Sequence, residues 1–338
     1  MKSPLSVVRA FVAHGRQDAC APGGGTAHLV TSNADVLFIA GMSLILFFVD
    51  GLGIGARSPF NPFDGLEEAE PLAVFQTEEP ALIHDGALMR TDATLGIAGR
   101  PQSASGQTTI LTGINAPALL GYHKQGFPNQ ALREIILEHS IFLQLKRAGV
   151  GPVTFANAYT PRFFESRPRW VSATTTAVEA AEMRFRDLED LRAGRAVFQD
   201  YTNQMLIERG LDFPLQTPEQ AGEILAQIGN AHRFTLYEYF ITDKVGHSQD
   251  MEAARVVLKN LARFVRTLLA RVDLKRTTVL LTSDHGNIED LSSRNHTLNL
   301  VPTLVWGAKR DTFSSRIRTL ADITPAIVET LTEKAMTN

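Results

Sequence analysis

Residues 278–296, TVLLTSDHGNIEDLSSRNH, constrain this chain more than any other stretch. The first five, Thr278 to Thr282, are β-branched or leucine, the composition of a buried strand. Asp284 and His285 follow after one serine, and Gly286-Asn287 suits a tight turn. An acid and an imidazole therefore sit at the carboxyl end of an apolar strand, where open α/β sheets place their ligands. His296 comes eleven residues after His285 in a polar loop, before a second apolar run from Val301 to Trp306. Two readings fit this stretch alone: a metal or catalytic site, or a solvated turn with incidental histidines.

The remainder of the chain favours the site. Leu44 to Val49 is a continuous apolar run ending at Asp50 and a glycine-rich turn, Gly51-Leu52-Gly53-Ile54-Gly55. A dinucleotide loop is disfavoured, because its acidic residue should follow the glycines by about 20 positions and here Asp50 precedes them. Thr235 to Ile241 reads as another strand, with Asp243 just beyond it. His247 lies four residues further on, so a helical turn there puts both side chains on one face, able to hold one ion. Small residues fill Pro101 to Gln107, and a helix is expected to begin near Ser103 or Ala104 and stop at Gly113. Ser103 would then stand at a helix N-terminus that favours a phosphate, or serve as an ordinary N-cap.

Helical periodicity runs from Asn129 to Ala148, and Val153 to Ala156 suits a short strand. Thr217-Pro218-Glu219-Gln220 carries N-cap, first-turn proline and capping-box signals. Long amphipathic and closing helices are expected at Met251 to Ala270 and Thr319 to Thr332. Residues 56–100 read as surface loop with short elements. Residues 161–216 are rich in Arg and Glu and read as a small helical cap insertion. Arg162, Arg167, Arg169, Arg184 and Arg186 there either line a solvated face or meet an anionic substrate. Strand and helix alternate elsewhere, so the expected class is α/β with a mostly parallel central sheet flanked by helices. The core is placed at 42–160 and 217–334. Residues 1–41, with Gly23-Gly24-Gly25 and no sustained periodicity, are expected to form a loose N-terminal extension.

Composition narrows the function. Of 338 residues, 44% are apolar and 20% charged, with a formal net charge of −3, so there is no basic surplus to attract nucleic acid. The apolar run from Val36 to Val49 is fourteen residues, short of the roughly twenty a membrane helix needs. Cys20 is the only cysteine, which precludes an intrachain disulfide and suits a reducing cytoplasm.

Asp50, Ser103, Asp243, His247, Asp284, His285 and His296 make up the candidate site. Three carboxylates, three imidazoles and a hydroxyl suit two divalent ions such as Mn²⁺ or Zn²⁺, with Mg²⁺ as a third choice, and lack the thiolates of a structural zinc site. Paired metals can clamp the attacking and leaving oxygens of phosphoryl transfer, and a serine beside them becomes a better nucleophile.

The motifs at these positions resemble those of the alkaline phosphatase superfamily of metalloenzymes. They are most similar to its cofactor-independent (2,3-bisphosphoglycerate-independent) phosphoglycerate mutase branch. The matching pieces are VDGLGIG at Asp50, QSASGQ at Ser103, TDKVGH at Asp243 and His247, SDHGNIED at Asp284 and His285, NHTLNLVP at His296, and the closing ADITPAIVETL. The resemblance implies an alkaline-phosphatase-like core from about residue 42 to 334. It further implies that Asp243, His247 and His296 hold one metal, that Asp50, Asp284, His285 and Ser103 surround another, and that Ser103 is the nucleophile of a phosphoserine intermediate.

Two departures separate the chain from the mutase. The interval between Ser103 and Asp243 is much shorter than the mutase's second domain, and the mutase's Ser-Glu-x-Gly-His pattern reads Ser103-Ala104-Ser105-Gly106-Gln107 here. A small cap suits hydrolysis by water. The expected activity is therefore a two-metal phosphohydrolase on a small phosphorylated metabolite. The alternatives are phosphoglycerate mutase, then a phosphodiesterase or a non-catalytic metal-binding protein. A sulfatase is disfavoured, because Ser103 lacks the Cys/Ser-x-Pro-x-Arg context. His123 and Lys124 are further substrate-pocket candidates through their nearness to the nucleophile helix. No nucleic acid or membrane partner is expected, and the sequence leaves the oligomeric state open.

Overall fold

Three apolar runs, each ending near an aspartate, lie side by side at the centre of one six-stranded sheet. The computed structural model describes residues 41–80 and 82–333. The strands are β1 (Ser43–Val49), β2 (Ala87–Thr91), β3 (Val153–Phe155), β4 (Phe234–Tyr239), β5 (Thr277–Thr282) and β6 (Val301–Gly307). Their order across the sheet is β2-β6-β5-β1-β4-β3. The pairs β1–β4, β1–β5 and β3–β4 are parallel, whereas β6 is antiparallel to both β5 and β2. One strand thus runs against the other five.

The central runs are apolar without alternation because both faces of the sheet are covered. On one face Ile45, Phe47 and Val49 pack with Tyr237, Val279 and Leu281 beneath the helices Pro218–Asn230 and Met251–Arg271. The other face sets Leu44, Leu46 and Phe48 with Phe234, Leu236 and Leu280 against the helices Ser103–Thr112, Ile141–Arg147 and Ile323–Thr332. Phe47 is fully buried, edge-on to Tyr237 and Phe264 with centroids 5.1 Å from each. Truncating such a ring costs about 3–5 kcal/mol.

Several local expectations held in detail. Thr217 accepts from Gln220 N–H while Gln220 reaches back to Thr217 N–H, with Pro218 at the first helical position. The helix Ile241–Ser248 carries Asp243 and His247 one turn apart. Others needed correction. The run from Asn129 to Ala148 is two helices, Gln130–His139 and Ile141–Arg147. Ser140 breaks it with an extended ψ of 136°, and its hydroxyl donates to Ala177 O. The stretch 56–100, read as surface loop with short elements, does have such an element in β2, paired only with β6, but it buries Phe63, Leu72 and Phe75 rather than lying wholly on the surface. The closing helix starts with a separate 3-10 turn, Leu320–Asp322, under a Thr319–Asp322 capping box.

Inside 161–216, Leu188, Leu191, Phe198, Leu206 and Phe213 form a small cluster of their own. The helix Ala173–Ala180 instead buries Ala173, Ala177 and Val178 in the second layer of the core. Expectations for residues 1–40 lie outside the described residues. No helix among the described residues is long and apolar enough to cross a membrane.

Candidate metal centre and nucleophile

Because β5, β1 and β4 are parallel neighbours, their carboxyl ends open on one crevice. Asp50 follows β1, Asp284 lies two residues past β5, and Asp243 sits in the first turn of the helix after β4. The turn after Asp50 needs its glycines. Gly51 has φ +74°, and a Cβ there would stand 2.9 Å from the Asp243 backbone. The helix Ser103–Thr112 enters the same crevice with Ser103 as its first residue and Gln102 as the flanking cap residue without a side-chain cap bond. Ser103 is thus not an N-cap, and its hydroxyl points at the cluster, 3.0 Å from His285 Nε2.

One group of ligand atoms comes from Asp243, His247 and His296. His247 Nδ1 lies 2.6 Å from Arg294 O and His296 Nδ1 lies 2.9 Å from Pro101 O. Each ring therefore donates through Nδ1 and turns a lone pair on Nε2 inward. The two Nε2 atoms are 3.3 Å apart, and Asp243 oxygens stand 3.3 Å and 3.4 Å from them. Tetrahedral zinc with bonds of about 2.0–2.1 Å spaces its ligands about 3.3 Å apart. The donor set and its spacing fit a divalent ion, which would hold together atoms that otherwise repel.

A second group comes from Asp50, Asp243 and His285. Buried Asp50 Oδ1 accepts no hydrogen bond among the described residues and lies 3.3 Å from His285 Nε2. Asp243 thereby faces both groups. Asp284 stands slightly back, with Oδ2 3.5 Å from His285 Nε2 and Oδ1 accepting from Gly51 N–H at 3.3 Å. The His285 ring stacks on His296, centroids 3.6 Å apart.

The electrostatics show how little water screens this crevice. Burial, then the Asp284 charge, push the Asp50 carboxyl up to about 7. Asp284 is raised by its own burial, against the pull of His285. For Asp243 burial acts in the same upward direction, but the His247 and His296 imidazoles beside it override it and hold the carboxyl below its ordinary range. His285 is buried too, which alone would lower it, yet Asp284 and Asp50 carry it up to about 10. His247 is raised chiefly by the Asp243 carboxylate beside it. Acids forced together out of water with imidazoles between them favour a cation in their midst.

Supporting residues escaped the sequence reading. Gln107 Nε2 donates to both Asp50 Oδ2 and Asp284 Oδ2 at 3.2 Å. Asn287 Nδ2 donates to Asp243 Oδ1 at 2.7 Å. Glu289, 1% exposed, accepts from the N–H groups of Gly53 and Asn287 and from Thr297 and Asn299, tying the Asp50 turn to the Asp284 turn. Nothing in the sequence marks Glu289, because the close approach of its Oε1, where a Cβ on Gly53 or Gly286 would lie only 2.2 Å away, exists only in the folded chain.

His123 and Lys124 are placed differently from the seven. The Lys124 backbone bonds reciprocally with Ser105, pinning the first turn of the nucleophile helix. Its side chain turns to Gln125 O, and His123 Nε2 lies 3.2 Å from Ile97 O. Among the cap arginines, Arg167 pairs with Glu179, Arg184 with Asp187 and Asp190, and Arg186 meets Thr154 Oγ1. Arg169 lies over the Trp170 ring, and Arg162 lines the cavity in front of Ser103.

Residues 209–335 match the family model described as Metalloenzyme superfamily. The match covers the part of the chain that carries Asp243, His247, Asp284, His285 and His296. Likeness to that family points to divalent metal ions, in keeping with the donor set above. Its curated relatives include a 2,3-bisphosphoglycerate-independent phosphoglycerate mutase of Moorella thermoacetica, 24% identical over 124 residues, 35% of this chain and 24% of that protein. The chain thus matches about a quarter of the length of such relatives. The PH0037 protein from Pyrococcus horikoshii superposes with a TM-score of 0.51 at 14% identity, covering 89% of this chain and 99% of that one. The alkaline phosphatase of the Antarctic bacterium TAB5 gives 0.46 at 15% identity over 87% and 98%. The fold expected from the motifs, an α/β core with a largely co-directional sheet between helices, is the one found.

Proposed function

We propose that this metalloenzyme is a metal-dependent phosphohydrolase that acts on a small phosphorylated metabolite through a phosphoserine at Ser103. The observation that carries the reading is the Ser103 hydroxyl, 3.0 Å from His285 Nε2, at a helix N-terminus facing two ligand groups that share Asp243. Asp243, His247 and His296 would hold one ion, and Asp50 and His285, backed by Asp284, the other. When bound, such ions neutralise charge on the transferred phosphoryl group and ease loss of the serine proton.

The chain's own groups supply the rest. The N-terminal amides of the Ser103–Thr112 helix attract the phosphoryl oxygens. Ser103 Oγ forms the new bond to phosphorus while the ester P–O bond breaks, and the serine proton leaves with the alcohol. Water then cleaves the phosphoserine, returning the hydroxyl and releasing phosphate. Gln107 keeps Asp50 and Asp284 oriented throughout.

The mutase relatives favour a second reading, in which the phosphoserine returns its group to the re-oriented sugar acid. A cytoplasmic setting without nucleic acid partners completes the proposal, supported by the single cysteine and the net charge of −3. The deciding experiment supplies 3-phosphoglycerate and p-nitrophenyl phosphate with Mn²⁺, Zn²⁺ or Mg²⁺ to the protein and to Ser103→Ala. Free phosphate marks the hydrolase and 2-phosphoglycerate the mutase. Activity that survives Ser103→Ala removes the phosphoserine route.

A further inference from the structure

One cavity of about 820 Å³ holds Asp50, Ser103, Gln107 and Asp243 at one end. That volume is near the top of the range for drug-sized ligands, about 300–1,000 Å³, so a three-carbon phosphate ester would leave most of it to water. Among polar neighbours such as Asn157, Thr175 and Glu238, its wall carries the aromatic rings of Phe127, Phe155, Tyr159, Phe163, Trp170 and Phe240. Tyr159 and Phe163 are mutually packed with centroids 4.7 Å apart, and Phe155 stands edge-on to Tyr159. Trp170 and Phe127, both lining residues, are 49% and 50% exposed overall. Exposed large rings beside a nucleophile offer stacking surfaces to a flat ligand, although Arg169 already lies over the Trp170 ring. Arg162, Arg209 and Lys244 line the same cavity, and none of them pairs with a described carboxylate. They attract an anionic ligand whatever its body, so the aromatic wall decides the class.

We infer that the substrate is a phosphate monoester whose leaving alcohol carries a planar aromatic or heteroaromatic body. This rests on the proposed phosphohydrolase reading. The phosphate lies at Ser103, and the ring extends along the cavity to stack near Phe163 and Trp170.

The test compares 2-(2-naphthyl)ethyl phosphate with ethyl phosphate, primary esters differing chiefly in the ring. Stacking is expected to raise kcat/KM about tenfold or more for the naphthyl ester. Trp170→Ala and Phe163→Ala should each shrink that ratio, whereas Leu137→Ala, on the exposed face of another helix, should not. Equal kcat/KM for both esters overturns the inference and leaves the hydrolase reading standing. An independent arm uses p-nitrobenzylphosphonate, which cannot be hydrolysed, as a quencher of Trp170 fluorescence. Trp306 is fully buried, and Trp170→Phe identifies the responding ring. Quenching without turnover of any ester keeps the aromatic pocket and removes the hydrolase reading. Absence of quenching at millimolar phosphonate overturns the inference.

Discussion

His247 Nε2 and His296 Nε2 face each other across 3.3 Å, each ring fixed by a backbone carbonyl at its other nitrogen. Two imidazole lone pairs so arranged repel unless a cation lies between them, and Asp243 supplies the matching charge. Added Mn²⁺ or Zn²⁺ should therefore raise the melting temperature, with EDTA reversing the gain. At a hundredfold excess over Kd the stabilisation is about 2.7 kcal/mol. Asp243→Asn should lose most of this response. A variant that melts and responds to metal like the parent would remove Asp243 from the ligand set.

Gln107 joins two carboxylates by one amide, donating to Asp50 and Asp284 alike. Gln107→Leu leaves both acids in place but frees them to rotate and repel. Loss of such an orienting contact commonly weakens metal affinity about 10–100-fold. Isothermal titration should show one class of metal sites weakened and the other retained. Two unchanged classes would mean that Gln107 is merely a space-filling core residue.

A buried carboxylate, Glu289, fixes the geometry between the Asp50 and Asp284 turns, and Gly53 is the residue that lets it approach. A methyl group on Gly53 would lie 2.2 Å from Glu289 Oε1, and Glu289 can retreat only by giving up its bonds to Gly53, Asn287, Thr297 and Asn299. Gly53→Ala should destabilise by about 1–3 kcal/mol, lowering the melting temperature by several degrees. Gly65→Ala is the contrast: its φ is +71° but no atom lies within 4 Å of the added Cβ, so it reports backbone strain alone. Equal losses at the two positions would argue against the Glu289 clash.

The site was legible wherever chemistry sat at the end of an apolar run. Asp50, Asp243 and Asp284 each follow a strand buried on both faces, and continuous hydrophobicity marks such strands without any tertiary information. The i,i+4 spacing of Asp243 and His247 needed only a helical turn, which the structure supplies. Gln107 was read as a departure from a motif because its role depends on two acids 57 and 177 residues away in sequence. β2 lay hidden in a Pro- and Gly-rich stretch because its pairing comes wholly from β6. The break at Ser140 has no Gly or Pro to announce it and rests on a tertiary bond to Ala177. Proximity in sequence drew attention to His123 and Lys124, whereas the cavity wall is built by the more distant segment around Phe163 and Trp170.

Glu238, beside the cavity on β4, offers a test of buried charge at a group that is not among the proposed ligands, although the Asp50 charge adds to the effect of its burial. Burial raises its carboxyl from the ordinary value to about 7, although Thr174 Oγ1 donates to it. A raised carboxyl binds its proton more tightly in the folded chain than in the unfolded one. Stability from this group is therefore full below about pH 4.5, falls as pH rises, and levels off above about 7. The loss is roughly 3 kcal/mol, reduced where solvent reaches the partly exposed side chain. Glu238→Gln keeps a partner for Thr174 and cannot ionise. Urea unfolding at pH 5 and pH 8 should show a smaller loss of stability in the variant than in the parent, with the other acids common to both. Parallel losses would show that Glu238 is already ionised at pH 5 and that its burial carries no such penalty.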